Sequence, residues 1–310
     1  MTTQAASQPL SMPELRQRPS RFSSLVRISR AKPVGAISAI ICLILVLTAI
    51  FADVLAPQDP AKSDPVANPY LTAPALPDHP FGTDNLFRDV FSRIIVGSRI
   101  SLGIGFTAVF LGTILGTTLG IVSGFFGGKT DLGVSRFIEV ILGFPPLVLA
   151  IFFLSIFMTN KCYSAQNFLL VSVAIGIIIA PTTARIVRGS VLSIRNLQYI
   201  EAAESIGNTS TKIMLRHVLP NVVAPIIVIA SIQIGNAILA EAALSFLGLG
   251  ITDAAHPSWG AMLQESRNVW LEAWWMSVIP GAAISLAVLS FNLFGDALRD
   301  ILDPRLRQSS

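Results

Sequence analysis

Six long stretches of this chain contain no Asp, Glu, Lys or Arg, and they limit its possible folds more than any other feature. They span residues 33–52, 100–128, 140–160, 162–184, 217–240 and 273–295. A transmembrane helix needs about 20 apolar residues, because the hydrocarbon core is about 30 Å thick and each residue rises about 1.5 Å. Segments such as ICLILVL and GIIIAP are apolar on every side, unlike the alternating strands of a membrane barrel. The sequence therefore predicts an all-α fold, a polytopic membrane helical bundle with six transmembrane helices.

The composition and the start of the chain agree with this prediction. Only 13% of the residues are charged, whereas a soluble domain has about 25%. The first window follows a 32-residue polar leader, and it is longer than the core of a secretory signal, which has about 7–15 residues. We therefore expect residues 33–56 to be retained as the first transmembrane helix, and residues 1–32 to form a basic, partly disordered cytoplasmic leader.

The distribution of positive charge predicts the orientation of the bundle. Of the 22 Lys and Arg residues, 16 fall in the leader, in the loops after the second and fourth windows, and after residue 298. Because Lys and Arg are concentrated on the cytoplasmic side of membrane proteins, both termini are expected in the cytoplasm. Residues 57–98 then form an extracytoplasmic segment, residues 99–298 a domain of five further helices, and residues 299–310 a cytoplasmic tail.

Residues 123–130 read SGFFGGKT and differ at one position from the nucleotide-binding pattern G-x-x-x-x-G-K-[ST]. That loop cradles phosphate when it follows a buried strand and opens a helix. Here an apolar membrane helix precedes it, so we predict a short turn in which Gly127 and Gly128 end the helix and Lys129 lies beside its C-terminus. No cofactor-binding residue is expected on this chain.

The histidines give no support to an enzyme. No H-E-x-x-H motif occurs, and only His217 lies within a window, at its predicted cytoplasmic margin. A metal-dependent intramembrane protease would need such a motif, and a serine protease would need its base within a span. We therefore expect no catalytic residue and no metal site.

The most informative polar segment is NLQYIEAAESIGNTSTKIMLRHVLPN, residues 196–221. On a helix, its apolar residues form one stripe that would pack on the bundle: Tyr199, Ile200, Ala203 and Ile206. The polar residues that would point outward are Gln198, Glu201 and Ser205. Gly207 and Asn208 can stop this helix, Thr209 or Ser210 can cap a second one, and Pro220 can begin the fifth span. Taken alone, the pattern also fits an ordinary amphipathic loop.

The pattern E-A-A-x-x-x-G followed by H-V-L-P resembles the cytoplasmic EAA loop of binding-protein-dependent ABC import permeases. The resemblance extends to HPFGTDNLFRDVFSRIIVGSRISL (79–102), GFPPLVLAI (143–151), EAALSFLGLG (241–250), PSWGAML (257–263) and FNLFGDALRDILDPRLR (291–307). Together these segments are similar to the C-type permease of dipeptide, oligopeptide and nickel importers, over residues 33 to 307.

This resemblance implies a cytoplasmic EAA coupling loop that docks on separate ATPase subunits. The residues that it assigns to ATPase coupling are Glu201, Ala202, Ala203, Gly207, Leu219 and Pro220. It also implies a second homologous permease as heterodimer partner, two ATPase subunits that hold ATP and Mg, and an extracytoplasmic solute-binding protein. The expected location is the prokaryotic cytoplasmic (inner) membrane, in contact with lipid and with no nucleic acid partner.

The implied function is that of a permease subunit in an ATP-driven importer of di- or oligopeptides, without enzymatic activity of its own. Relatives with similar motifs carry nickel or other small solutes, so that alternative stays open. A stand-alone channel or ion-coupled carrier is the alternative from another class. Ion-coupled carriers usually have carboxylates near the bilayer midplane, and the six windows contain none.

Polar residues in the fifth helix are candidates for lining the pathway. Gln233, Asn236 and Glu241 share one broad face of that helix. Glu241 lies about 20 residues into the helix, near its outer end, where a solvated position is the expected alternative.

Two further groups of residues carry predictions. Arg88, Asp89, Arg93, Trp259 and Trp270 are candidate contacts for the solute-binding protein. Trp270, Trp274 and Trp275 fit interfacial anchors as well, because Trp is enriched at membrane interfaces. The prolines expected to interrupt or kink membrane helices are Pro145, Pro146, Pro181 and Pro225.

Overall fold

The computed structural model describes residues 32–63, 65, 79–158 and 162–302. Within these ranges the regular elements are helices, apart from one isolated β-bridge between Thr83 and Asp89. The helices are α1 (Pro33–Ile50), α2 (Ala52–Leu55), α3 (Val90–Phe126), α4 (Gly128–Leu142), α5 (Pro146–Phe157), α6 (Ala165–Arg195), α7 (Gln198–Ser205), α8 (Ser210–Ile213), α9 (Leu219–Phe246), α10 (Trp259–Ser266) and α11 (Trp275–Leu302). A short π-helix, Met214–Val218, joins α8 to α9. The all-α prediction is confirmed.

Five helices are long and apolar enough to cross a membrane. They are Pro33–Ile50, Val90–Phe126, Ala165–Arg195, Ser210–Phe246 and Trp275–Leu302. Helices α4 and α5 pass the same test only as a pair, and they are bent by 88° at the break between them. The number of spans equals the predicted six when this bent pair is counted as one span. The third span is then bent, and not the straight helix that its window suggested.

The second span begins earlier than its window. Helix α3 starts at Val90, so the predicted boundary between residues 98 and 99 falls inside a continuous helix. Arg99 bounds the charge-free window and Arg93 lies upstream of it, yet both are accommodated in the helix because they pair with carboxylates. The Asp89 carboxylate caps the start of this helix by accepting a hydrogen bond from the backbone N–H of Ser92 at 2.8 Å.

The break between α4 and α5 lies at residues 143 to 145. Helix α4 ends at Leu142, and Pro146 occupies the first turn of α5, where its missing N–H costs no hydrogen bond. The interruption predicted at Pro145 and Pro146 is thus present. Pro181 and Pro225 lie inside the continuous helices α6 and α9, so the predicted interruptions at these two prolines are absent.

Helices α3 and α6 pack against each other along a stripe of glycines: Gly112, Gly116, Gly120 and Gly124. A Cβ added to Gly116 would lie 2.5 Å from the Ala180 carbonyl oxygen, and one added to Gly120 would lie 2.7 Å from that of Ala184. Side chains at these positions would force the two backbones apart. Small residues four apart therefore allow this close contact, as is common between membrane helices.

The bundle has two ends that differ in their polar structure. The EAA end carries the α3–α4 turn, helices α7 and α8, and the start of α9. The loop end carries residues 52 to 63, 79 to 89 and 247 to 274. An apolar core lies near each end: Ile121, Phe125, Val187, Val191 and Val222 belong to that of the EAA end, and Leu102, Ile238, Ala242, Trp259 and Phe291 to that of the loop end.

Candidate coupling surface and pathway residues

Helix α7 is anchored to the bundle by the two apolar residues that face it. Ile200 and Ala203 are buried, and they pack with Ile213, Val218 and other members of the EAA-end core. Glu201 and Ala202 are exposed on the other side of the helix. The sequence thus places one face of α7 on the bundle and leaves the carboxylate of Glu201 in solvent.

The end of α7 is built around Gly207. Its φ of +80° lies in the left-handed region that favours glycine. The Gly207 N–H donates to the Glu204 carbonyl at 2.9 Å, and the Asn208 N–H donates to the Ala203 carbonyl at 3.2 Å. These two bonds form a Schellman motif, which ends the helix and satisfies its last carbonyls. The predicted helix–turn–helix unit is confirmed, since α8 begins at Ser210.

The predicted apolar stripe of α7 is only half correct. Tyr199 is 42% exposed and Ile206 is 79% exposed, so neither packs on the bundle. Leu197, which precedes α7, and Leu215, in the π-helix after α8, are also exposed. The short α7 has only two turns, which is too few for four residues of the stripe to reach the same core. We define the coupling surface as Leu197, Tyr199, Glu201, Ile206 and Leu215.

The remaining coupling candidates lie at the start of α9. Leu219 begins this helix and is partly buried against the EAA-end core, whereas Pro220 is exposed in the first turn. The prediction that Pro220 begins the fifth span is wrong, because the apolar helix continues upstream through the π-helix to Ser210. Thr209 occupies the N-cap of α8 without a side-chain capping bond.

Residues 123–130 form the turn predicted between two helices. Helix α3 ends at Phe126, and Gly127 and Gly128 have φ values of +64° and +54°. No strand precedes this turn, so its backbone lacks the strand–loop–helix context that cradles phosphate. Lys129 lies in the first turn of α4, not beside the C-terminus of a helix as expected, because α4 starts directly after the glycine turn.

An ion pair that was not predicted holds this turn against α6. The Arg188 guanidinium donates to both carboxylate oxygens of Asp131, at 2.5 and 2.6 Å, and Ser123 Oγ donates to the same carboxylate. A bidentate pair of this kind fixes orientation as well as distance. The sequence alone does not show this pair, because 57 positions separate its two residues.

The three pathway candidates do not form one group. Asn236 Nδ2 donates to Gln233 Oε1 at 2.8 Å, and Asn236 is exposed on the surface of α9. Glu241 is fully buried at the loop end, so the expected solvated position is wrong, and the residue has no exposed surface with which to line a path in this conformation. It is enclosed because α10 packs over this part of α9. A lining role for Gln233 and Asn236 stays a prediction.

The charged candidates for contact with a solute-binding protein are buried. Arg88 and Arg93 both donate to Asp84 and to Glu265, with distances of 2.8 Å from Arg88 Nη2 and Arg93 Nη1 to Glu265 Oε2. Asp89 caps α3 and lies 3.0 Å from His79 Nδ1. The prediction that Arg88, Asp89 and Arg93 form an outward surface is therefore wrong. They tie residues 79 to 93 to α10.

The tryptophans divide into two buried and two exposed residues. Trp259 Nε1 donates to the Ile94 carbonyl, and Trp275 Nε1 donates to the Thr83 carbonyl, each at 3.0 Å. Trp259 thus offers no docking contact, and Trp275 is no interfacial anchor, because each indole is enclosed by the loop end. Trp270 and Trp274 are 59% and 57% exposed, so both remain candidates for an interfacial anchor, and Trp270 for a docking contact.

Two carboxylates at the loop end have lowered pKa values. Hydrogen bonds and the charge of Arg99 hold the pKa of Asp53 below its ordinary value. Arg99 also donates to the Ala49 carbonyl at 3.2 Å, which fastens the end of α1 to α3. Burial raises the pKa of Asp253, but hydrogen bonds from the backbone N–H groups of Ala255 and Tyr163 outweigh it and leave that pKa lowered.

Comparison with known families agrees with this architecture. The family described as "Binding-protein-dependent transport system inner membrane component" matches residues 112–308. That match covers more than half of the chain. The chain belongs to this family. A second match, described as "N-terminal TM domain of oligopeptide transport permease C", covers residues 20–74 and so includes α1.

Individual relatives cover almost the whole chain. The dipeptide transport system permease protein DppC of Alkalihalophilus pseudofirmus is 41% identical over 87% of this chain and 86% of its own length. The probable D,D-dipeptide transport system permease protein DdpC of Escherichia coli is 39% identical over 93% of this chain and 94% of its own. The glutathione transport system permease protein GsiD of Escherichia coli is 39% identical over 90% of this chain and 88% of its own. The chain is thus a permease subunit of an ABC importer and a multi-pass membrane protein.

Solved structures support the fold alone. A chain of the MetNI methionine ABC transporter, in an inward-facing conformation, superposes with a TM-score of 0.56 at 17% identity and covers 68% of this chain and 96% of its own. An amino acid ABC transporter with histidines gives a TM-score of 0.50 at 20% identity, over 68% of this chain and 94% of its own. The bundle of this permease therefore has the architecture of ABC transporter membrane subunits.

Proposed function

We propose that this permease forms, with a second homologous permease, the pathway of an importer for di- or oligopeptides. An extracytoplasmic solute-binding protein delivers the peptide, and two separate ATPase subunits bind ATP and Mg and drive transport. The names of the relatives, which include dipeptide and glutathione permeases, support a peptide as the transported solute. The permease itself supplies the pathway and the contact with the ATPases.

The observation that carries the coupling role is the shape of the EAA end. Ile200 and Ala203 hold α7 on the bundle, while Glu201 and Ile206 stay exposed and Gly207 sets the angle to the next helix. A helix fixed on one face transmits the motion of a partner docked on the other. Glu201, Ala202, Ala203 and Gly207 form or position this contact, and Leu219 and Pro220 join it to the start of α9.

The orientation in the inner membrane follows from the same proposal. The EAA end faces the cytoplasm, where the ATPases are, and both termini lie on that side. A thiol label on Thr209→Cys, in a background without the two native cysteines, is expected to react only from the cytoplasm. The same label on His256→Cys is expected to react only from outside. The opposite pattern would overturn the orientation.

The proposed function is tested by uptake into vesicles that contain the permease with its co-purified ATPase and permease subunits. We expect labelled di- and oligopeptides to accumulate only when ATP and the binding protein are both present. Accumulation of ⁶³Ni²⁺ but no peptide would replace the peptide assignment with nickel. Uptake by the permease alone, driven by an ion gradient without ATP, would show a stand-alone carrier and contradict the proposal.

A further inference from the structure

Glu241 is a fully buried carboxyl group at the loop end, and the proposed transport mechanism does not use it. Its Oε1 accepts a hydrogen bond from Ser245 Oγ at 2.7 Å, and the side chains of Ser101 and Ser258 also lie within hydrogen-bonding reach of the carboxyl. Oε2 makes no hydrogen bond of good geometry within the described part of the chain. Buried polar groups normally have hydrogen-bond partners, so the burial of this carboxyl beside three hydroxyls indicates a structural role.

The surrounding hydrogen bonds show the direction in which these hydroxyls can donate. Ser101 Oγ accepts from the Trp259 backbone N–H at 3.1 Å, and Ser258 Oγ accepts from the Ala261 backbone N–H at 3.2 Å. Because each hydroxyl already accepts from an amide, its own O–H remains available to donate. The Glu241 carboxyl is an acceptor within reach of these two hydroxyls.

The three serines come from three different parts of the fold. Ser101 lies on α3, Ser245 on α9, and Ser258 is the N-cap of α10. The contact between α9 and α10 is also close, since a Cβ added to Gly260 would lie 2.6 Å from the Ala242 carbonyl oxygen. The carboxyl thus sits where α3, α9 and the start of α10 meet.

The other end of α10 is held in a different way. Glu265, near the end of α10, receives hydrogen bonds from Arg88 and from both terminal nitrogens of Arg93. Those contacts fix the C-terminal turn of α10 to residues 79 to 93. The N-terminal turn has no ion pair in the described structure; it contacts the bundle through the two hydrogen bonds of Trp259 and the close packing of Gly260 on α9, directly beside the Glu241 carboxyl.

We propose that Glu241 is a positioning residue that seats the N-terminal turn of α10 on α3 and α9. With α10 seated at both ends, the loop end moves with α3 as one body when the ATPases drive the bundle. Loss of the carboxyl would loosen this turn. The transporter would then hydrolyse ATP faster in the absence of the binding protein. This role in coupling rests on the proposed importer function, whereas the seating of α10 does not.

The seating is tested with a single reporter cysteine, Ala261→Cys, in a chain that carries Cys42→Ala and Cys162→Ser. Ala261 is buried within the first turn of α10, so a thiol at this position reacts only when the turn opens. Glu241→Gln is expected to raise the labelling rate about tenfold or more, because a carboxyl acceptor is replaced by an amide that also needs acceptors. Ser245→Ala, which removes the hydrogen bond to Oε1, should raise it by a smaller factor.

The matched control is Glu272→Gln, which makes the same chemical change at an exposed position of the loop end. It should leave the labelling rate within about twofold of the parent, as expected for a surface substitution. Rates for Glu241→Gln and Ser245→Ala that equal this control would overturn the seating role. If Glu241→Gln fails to accumulate in membranes, the decision rests on Ser245→Ala, which removes the donor to Oε1, keeps the carboxyl and leaves the bond between Ser101 and Trp259 intact.

A second measurement separates positioning from simple stability. In the assembled transporter, Glu241→Gln should raise ATP hydrolysis in the absence of binding protein and so reduce its stimulation by that protein. Stimulation equal to that of Glu272→Gln would overturn the coupling role. The labelling needs only the permease in a membrane, so a failure of the importer assignment would remove the ATPase readout and leave the labelling result intact.

Discussion

The two ends of this permease place charged and apolar side chains in opposite ways. At the loop end, Asp84, Arg88 and Arg93 are buried and paired within the chain. At the EAA end, Ile206 and Leu215 are apolar and exposed. The loop end thus pairs its buried charged side chains within the chain, whereas the EAA end leaves apolar side chains exposed.

The difference follows from the cost of each arrangement. A buried charge is tolerated only when it is paired and hydrogen-bonded, so the loop end is held in one geometry. Exposed apolar residues cost little singly, but a group of them beside a fixed helix marks a contact surface. We infer that substitutions at the loop end act on folding, and that those on the coupling surface act on assembly.

The largest effect is expected from Asp84→Ala. This change leaves the Arg88 and Arg93 guanidiniums buried with Glu265 as their shared carboxylate, and removal of one partner of a buried pair costs about 3–5 kcal/mol. Thermal unfolding of the purified permease measures it. Asp53→Ala is the matched control, because its exposed pair with Arg99 should contribute little. Equal melting temperatures for the two variants would remove the contrast between buried and exposed pairs.

A smaller but substantial loss is expected from Gly116→Val. Its Cβ would meet the Ala180 carbonyl at 2.5 Å, so α3 and α6 would have to separate. Overpacking of this kind typically costs about 1–3 kcal/mol. Gly189→Ala, at a glycine with open space around its Cβ position, should leave unfolding unchanged or slightly improved. A Gly116→Val chain as stable as the parent would show that the α3–α6 contact is not as close as described.

Gly207→Val is expected to affect coupling more than folding. No atom lies within 4 Å of a Cβ at this position, so the penalty comes from the left-handed backbone alone, about 1–3 kcal/mol. Gly207→Asn should keep most activity, because Asn tolerates that conformation. Both variants should reach the membrane. ATP-driven uptake in vesicles should fall for Gly207→Val and stay near the parent for Gly207→Asn. Equal uptake by the two variants would show that the left-handed turn has no role in coupling.

Hydrophobic windows and local motifs predicted the helical fold, the glycine turn after α3 and the helix–turn–helix around Gly207. Each of these depends on residues that are close in sequence, such as the glycine at the left-handed position. The start of α3 was missed because Arg93 and Arg99 look too polar for a membrane helix until their carboxylate partners are known. The glycines from Gly112 to Gly124 recur at a spacing of four, but that spacing alone does not show which helix they contact.

The errors at the candidate sites have a common cause. Arg88, Asp89 and Glu241 were treated as exposed because polar residues near a helix end are usually solvated. Glu265, which accepts from Arg88, and Ser101, which lies beside Glu241, are far away in the sequence, so no local pattern shows that the chain buries these two residues. Tyr199 and Ile206 present the reverse case, since a helical stripe predicts burial and the two-turn length of α7 prevents it.

The central claim is that the coupling surface at the EAA end joins this permease to its ATPases, and Glu201→Ala tests it most directly. The residue is exposed and its loss leaves the buried face of α7 intact, so the variant should insert and fold like the parent. Glu139→Ala, an exposed carboxylate on α4, is the matched control. We expect Glu201→Ala to weaken co-purification of the ATPase subunits about tenfold, equivalent to about 1.4 kcal/mol, and to reduce ATP-driven uptake. Assembly and uptake equal to the control would contradict the account.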